Sequence, residues 1–121
     1  KFVIDALQLV RLPYHLSALT QAAAEVALDF QDELLAEVKK LTIDRDRLAN
    51  DLRELGLKVT PTDANFILFS GFKGTSHQLW ERLLADGVLI RDVGLEGYLR
   101  VTIGNEAENR DFLASLKKAL A

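Results

Sequence analysis

Apolar residues recur at helical spacing from the first residues of the chain, at Phe2, Ala6, Leu9 and Val10. The pattern stops at Arg11-Leu12-Pro13-Tyr14, where proline removes an amide donor and biases Leu12 away from helix. Ser17 is a predicted N-cap, and neither glycine nor proline follows it before Gly56, so the spacing predicts helix across that whole stretch. Its apolar positions, among them Leu19, Ala23, Val26, Phe30, Leu34, Val38, Leu41, Leu48, Leu52 and Leu55, alternate by threes and fours. A straight helix of this extent would reach about 55 Å at 1.5 Å per residue, against a radius of gyration of about 14 Å for a compact domain of this size. The helix is therefore expected either to bend near Leu41-Thr42-Ile43, where two β-branched residues lower helix propensity, or to project beyond the domain.

Beyond Leu55 the period shortens. Gly56 is placed to cap the helix in the left-handed conformation, and Leu57-Lys58-Val59 reads as a short strand before the turn Thr60-Pro61-Thr62-Asp63. Asn65 to Phe69 is almost unbroken apolar sequence of strand length, as a central strand requires. After the Gly71–Gly74 loop, Ser76 is predicted to cap a helix carrying Leu79, Trp80, Leu83 and Leu84. Val88-Leu89-Ile90 and Leu99 to Ile103 read as two further strands. Asn105 then caps a closing helix through Phe112, Leu113, Leu116 and Leu120, with Glu108 as its capping-box partner. The order predicts a two-layer α+β fold, a small mainly antiparallel sheet with helices on one face, preceded by a long connecting helix. Residues 1–55 form the helical lead-in and residues 56–121 the small α+β domain.

Composition narrows the functional classes. The chain has 121 residues, of which 49% are hydrophobic, enough for one real core. A net charge of -3 argues against nucleic-acid binding, which needs a basic face to neutralise phosphates. There is no cysteine, which excludes disulfides, thiolate metal sites and cysteine nucleophiles and fits a reducing cytoplasm. No apolar run approaches the roughly 20 residues that cross a bilayer. The chain begins at Lys1 inside a helical pattern and contains no methionine, as expected of a piece of something longer.

Two arginines interrupt apolar runs, Arg91 in Val88 to Val93 and Arg100 in Leu99 to Ile103, with Gly94 and Gly97 between them. If the runs pair, the planar guanidinium forks stand side by side and can grip a carboxylate or phosphate with parallel hydrogen bonds. The alternative places both on a solvent face, or pairs Arg91 with Asp92 or Glu96. The only histidines, His15 and His77, are isolated from each other, and no metal is expected. Tyr14 and His15 beside Pro13, and Asn65 at the opening of a buried strand, are possible cleft-lining residues. Leu34, Leu41, Leu48 and Leu55 lie seven apart, which leaves open a non-enzymatic module dimerising through that face. Arg45, in the intervening row, weakens such a seam.

The segments Arg-Leu-Pro-Tyr-His-Leu-Ser (11–17), Asp-Ala-Asn-Phe-Ile-Leu-Phe (63–69), Gly-Val-Leu-Ile-Arg-Asp-Val-Gly (87–94) and Leu-Arg-Val-Thr-Ile-Gly (99–104) closely resemble the C-terminal part of histidinol-phosphate aminotransferases, over essentially the whole chain. The arginine-bearing last strand is common to many aminotransferases of fold type I. Ile90-Arg91-Asp92 and the Pro13-Tyr14 turn narrow the resemblance to the histidinol-phosphate group, with an aromatic-amino-acid aminotransferase as the related alternative. The resemblance implies a cytoplasmic, homodimeric enzyme of histidine biosynthesis. It uses pyridoxal 5'-phosphate to move an amino group between glutamate and imidazole-acetol phosphate, the keto partner of histidinol phosphate. Arg100 and Arg91 match the family's substrate-anion arginines. The Schiff-base lysine and most cofactor ligands belong to a large domain preceding this segment. None of the lysines here matches that lysine, so the chain alone is expected to be inactive.

Overall fold

The structure, a computed structural model, describes residues 1–12 and 16–121. The chain divides into two compact units, Lys1–Ala36 and Glu37–Ala121, so the boundary expected at residues 55/56 falls inside the second unit. The first unit holds helix α1 (Phe2–Val10), helix α2 (Ala18–Asp29) and the opening turns of α3 (Gln31–Glu54). Ser17 caps α2, its Oγ accepting from the Thr20 amide at 3.0 Å. The unbroken helix expected from Ser17 to Leu55 is instead two helices. The break lies at Phe30, where φ is -111° and ψ is 25°, and α3 then runs without interruption through Leu41-Thr42-Ile43. Thr42 turns its hydroxyl back onto the Val38 carbonyl at 2.9 Å, which satisfies the polar atom without opening the helix.

The second unit is built on a four-stranded antiparallel sheet: β1 (Lys58–Val59), β2 (Phe66–Ser70), β3 (Arg91–Asp92) and β4 (Tyr98–Thr102), in the order β1-β2-β4-β3. Helices α4 (Ser76–Ala85) and α5 (Glu106–Leu120) complete it. Successive strand residues point to opposite faces. In β2 and β4 the buried partners Ile67, Phe69, Leu99 and Val101 face the helices and meet Leu48 and Leu52 of α3, Leu79 and Leu83 of α4, and Phe112 and Leu116 of α5. Phe69 sits at the centre, fully buried, with the rings of Phe72 and Phe112 at 6.1 and 6.2 Å. Leu41 and Leu55 pack against this cluster and Leu48 is part of it, so three of the four heptad leucines serve packing within the unit. Arg45 is ion-paired with Asp46 at 2.8 Å.

Two local expectations shift. The third strand is Arg91–Asp92 rather than Val88-Leu89-Ile90, because residues 88–90 leave the ladder and Ile90 gives its carbonyl to the Trp80 indole N–H at 2.9 Å. The N-cap of α4 is Thr75, not Ser76: Thr75 and Gln78 form a reciprocal capping box, and Ser76 becomes the first helical residue. The closing helix is capped as expected, by Asn105 with Glu108.

Candidate functional site

The sheet face turned away from the helices carries Phe66 and Leu68 from β2, Tyr98, Arg100 and Thr102 from β4, and Arg91 from β3. Arg91 and Arg100 are direct cross-strand partners, so their side chains leave the same face about 4.5–5.5 Å apart at the backbone. Like charges directly opposite each other are unfavourable, and here neither is neutralised. Among the described residues no carboxylate pairs with Arg91 or Arg100.

Strand alternation explains why the neighbouring acid does not quench the pair. Asp92 points to the other side of β3, where one of its oxygens accepts from the Gly94 amide at 2.9 Å and the other lies 3.8 Å from His77 Nδ1. The alternative in which Arg91 pairs with Asp92 or Glu96 is therefore not adopted. The connection between the strands turns through Gly94 and Gly97, whose φ values of 72° and 78° are strained for any residue with a Cβ.

Arg100 is half-buried. Its guanidinium lies 4.8 Å from the centre of the Phe66 ring, an arrangement that suits cation–π attraction, yet its Nε is buried without a hydrogen-bond partner. A buried unsatisfied donor costs about 1–3 kcal/mol and is rare in folded proteins. Arg91 is exposed beside it. Both line a groove of about 520 Å³ together with Trp80, Leu89, Ile90, Asp92, Val101 and Thr102. Two unpaired guanidinium groups at such an opening have the donors to grip an anion with several oxygens.

The other expected cleft residues are not brought to this groove. Asn65 is exposed at the start of β2, its carbonyl accepting from the Ile103 amide at 3.0 Å, and it does not line the groove. Tyr14 and His15 lie outside the described residues. His77 lies exposed on the first turn of α4 and stacks on Trp80 with ring centres 5.6 Å apart. No cluster of three or more metal-ligating side chains exists among the described residues. Nor, among them, is any helix long and apolar enough to cross a membrane. Sequence reading passed over Trp80 and Ser76 as core and cap. Their hydrogen bonds to the Arg91–Arg100 hairpin have no local signature.

The family model for aminotransferase class I and II matches residues 2–116. The chain belongs to that family. A histidinol-phosphate aminotransferase of Mycolicibacterium smegmatis is 57% identical over 113 residues, which make up 93% of this chain and 30% of the relative. The chain thus spans about 30% of the length of the curated relative it matches. Among solved structures, L-threonine-O-3-phosphate decarboxylase from Porphyromonas gingivalis superposes with a TM-score of 0.78 at 27% identity, covering 98% of this chain and 38% of that one. The histidinol-phosphate aminotransferase from Clostridium acetobutylicum superposes with a TM-score of 0.81 over the same shares at 23% identity, and so shares the fold. The α+β architecture of this chain is that of a part of a fold-type I aminotransferase.

Proposed function

We propose that this chain is the C-terminal, substrate-anion-binding part of a histidinol-phosphate aminotransferase, a pyridoxal-phosphate enzyme that moves an amino group between glutamate and imidazole-acetol phosphate in histidine biosynthesis. The observation that carries the reading is the Arg91–Arg100 cross-strand pair, unneutralised and with a buried Nε left unsatisfied. A double-displacement reaction admits two anionic substrates in turn to one pocket. Arg100, the more buried of the pair, holds the group common to both visits, the carboxylate of glutamate or the phosphate of the other substrate. Arg91 adds a second fork where the phosphate offers more oxygens. Phe66 beneath Arg100 limits how far that guanidinium can swing.

The residues present fit a substrate anion and do not fit covalent attachment of the cofactor. Pyridoxal phosphate needs a lysine amine for its aldehyde, and none of the residues lining the arginine groove is a lysine. Lys1 stands ahead of α1, at the wrong place in the family's pattern, Lys39 and Lys40 lie on α3, Lys58 on β1, Lys73 in a loop, and Lys117 and Lys118 on α5. The large cofactor-binding domain is therefore a required partner. The family resemblance supports a cytoplasmic homodimer. L-threonine-O-3-phosphate decarboxylase acts on a phosphorylated amino acid with a similar segment, which fits a part that recognises the anion while the rest of the enzyme sets the reaction.

The test is amino transfer measured with the full-length polypeptide and with this chain alone. The full-length enzyme turns over histidinol phosphate with 2-oxoglutarate and discriminates against aromatic amino acids. The chain alone, given pyridoxal phosphate and glutamate, produces no pyridoxamine phosphate. Turnover by the isolated chain, or a preference of the full-length enzyme for an aromatic amino acid, overturns the assignment.

A further inference from the structure

The hairpin carrying both arginines is held from the helical side by side chains of one helix. Strand β3 contributes only two residues to the ladder, so its pairing with β4 is too short to fix Arg91 by itself. Three residues of α4 reach it. Trp80 donates its indole N–H to the carbonyl of Ile90, the residue before Arg91, at 2.9 Å. Ser76, only 3% exposed, accepts from the Gly97 amide at 2.8 Å and turns its hydroxyl toward the Leu95 carbonyl at 3.5 Å. His77 stacks on Trp80 and faces Asp92, the residue after Arg91.

Ser76 is free for this because Thr75 takes the cap of α4. The contacts flank Arg91 on both sides in the chain and pin the loop leading to Arg100. The rest of this edge is anchored by apolar packing, Ile90 in the core and Val88 against it, and by the Val88 amide on the Leu83 carbonyl at 2.9 Å; residues 88–90 leave the ladder, and a space of about 480 Å³ opens between residues 87–90, residues 101–104 and α5.

We propose that Trp80 and Ser76 are positioning residues for the two-arginine site. Through the Ile90 carbonyl and the Gly97 amide they set the separation between the Arg91 and Arg100 forks, and with it the preference for a phosphate over a single carboxylate. A carboxylate is satisfied by one fork, whereas a phosphate profits from two only when their spacing matches its oxygens. Loss of either tether lets Arg91 drift while Arg100, on a central strand of the sheet, stays in place.

This inference rests on the anion-site reading, and the experiment separates the two. In the full-length holoenzyme, steady-state constants are measured for Trp80→Phe, which keeps an aromatic ring but loses the N–H, for Ser76→Ala, and for Arg100→Leu as reference. Inorganic phosphate serves as a competitive probe of the site. One lost hydrogen bond corresponds to about 3- to 10-fold in affinity. Both tether variants are expected to raise the KM of histidinol phosphate and the Ki of inorganic phosphate by about that factor. In Ser76→Ala, which lies outside the groove, kcat and glutamate KM should change by less than about twofold, and melting of both variants should remain cooperative.

Equal rises for phosphate substrate and glutamate overturn the proposal, as do unchanged phosphate constants in both variants while Arg100→Leu loses both substrates. If Trp80→Phe does not fold, Ser76→Ala decides by the same split. An Arg100→Leu enzyme with normal constants overturns the anion site itself, and this inference with it.

Discussion

Replacing Arg100 with leucine in the full-length enzyme separates a residue kept for binding from one kept for stability. In the ligand-free protein the arginine is a poor stabiliser. It stands opposite a second arginine, at a cost of about 0.2–1 kcal/mol for directly opposed like charges, and its buried Nε lacks a partner at a cost of about 1–3 kcal/mol. In return it gains about 0.5–2 kcal/mol from the Phe66 ring and the packing of its stem. The costs, about 1–4 kcal/mol together, outweigh the gain. Arg100→Leu should therefore leave the unfolding free energy unchanged or raise it, by up to about 3 kcal/mol, measured by urea titration in phosphate-free buffer.

Binding should respond very differently. Removing one partner of a buried, hydrogen-bonded ion pair costs about 2–5 kcal/mol, so both substrates should weaken by at least about 30-fold. Arg100→Lys keeps the charge without the fork and should recover only part of that loss. Arg91→Leu, at the exposed position, should harm the phosphate substrate more than glutamate. A leucine variant destabilised by more than about 3 kcal/mol with unchanged substrate constants would refute the reasoning, since Arg100 would then be a structural residue.

Further outcomes follow from the core, the caps and one ion pair. Phe69→Ala removes the central, fully buried ring and should cost about 3–5 kcal/mol of unfolding free energy in denaturant titration. Asn105→Ala breaks the capping box of α5 and should cost about 0.5–2 kcal/mol in the same assay, with no change in substrate constants. The hydrogen bond from Lys118, aided by that from Ser115 and by the Lys118 charge, holds the Asp86 carboxyl below its ordinary value of 3.8. A depressed carboxylate contributes stability that is complete above the unfolded pKa and is lost as pH falls through the folded one. Asp86→Asn should therefore flatten the decline in stability below about pH 4 while lowering stability near neutrality, as followed by thermal melting across pH.

Much of the architecture is local and was legible. The caps at Ser17 and Asn105 and the left-handed turn at Gly56 depend on residues within one helical turn. The apolar runs that hold Ile67 and Phe69, and Leu99 and Val101, mark the buried strands directly, though not which of their residues face the helices. The expectations that shifted are those in which two local solutions were nearly equivalent. Thr75 and Ser76 are adjacent hydroxyls that can both cap α4, and Gln78 together with the buried acceptor role of Ser76 toward Gly97 separates them. The break at Phe30 has no glycine or proline to announce it. Residues 88–90 have strand composition but lose the ladder where Trp80 takes the Ile90 carbonyl.

For the site the division is equally physical. The sequence by itself determined that two arginines interrupt apolar runs on either side of a glycine-bearing turn, and its motifs resemble a family in which such residues hold substrate anions. Strand pairing alone decided that Arg91 faces Arg100, that Asp92 is turned to the opposite side, and that Asn65 stays outside the groove. Register and face arise from contacts between residues distant in the chain, where a shift of one residue exchanges every side chain between core and solvent. A linear pattern can name the charges, but only the folded sheet determines which of them remain unpaired.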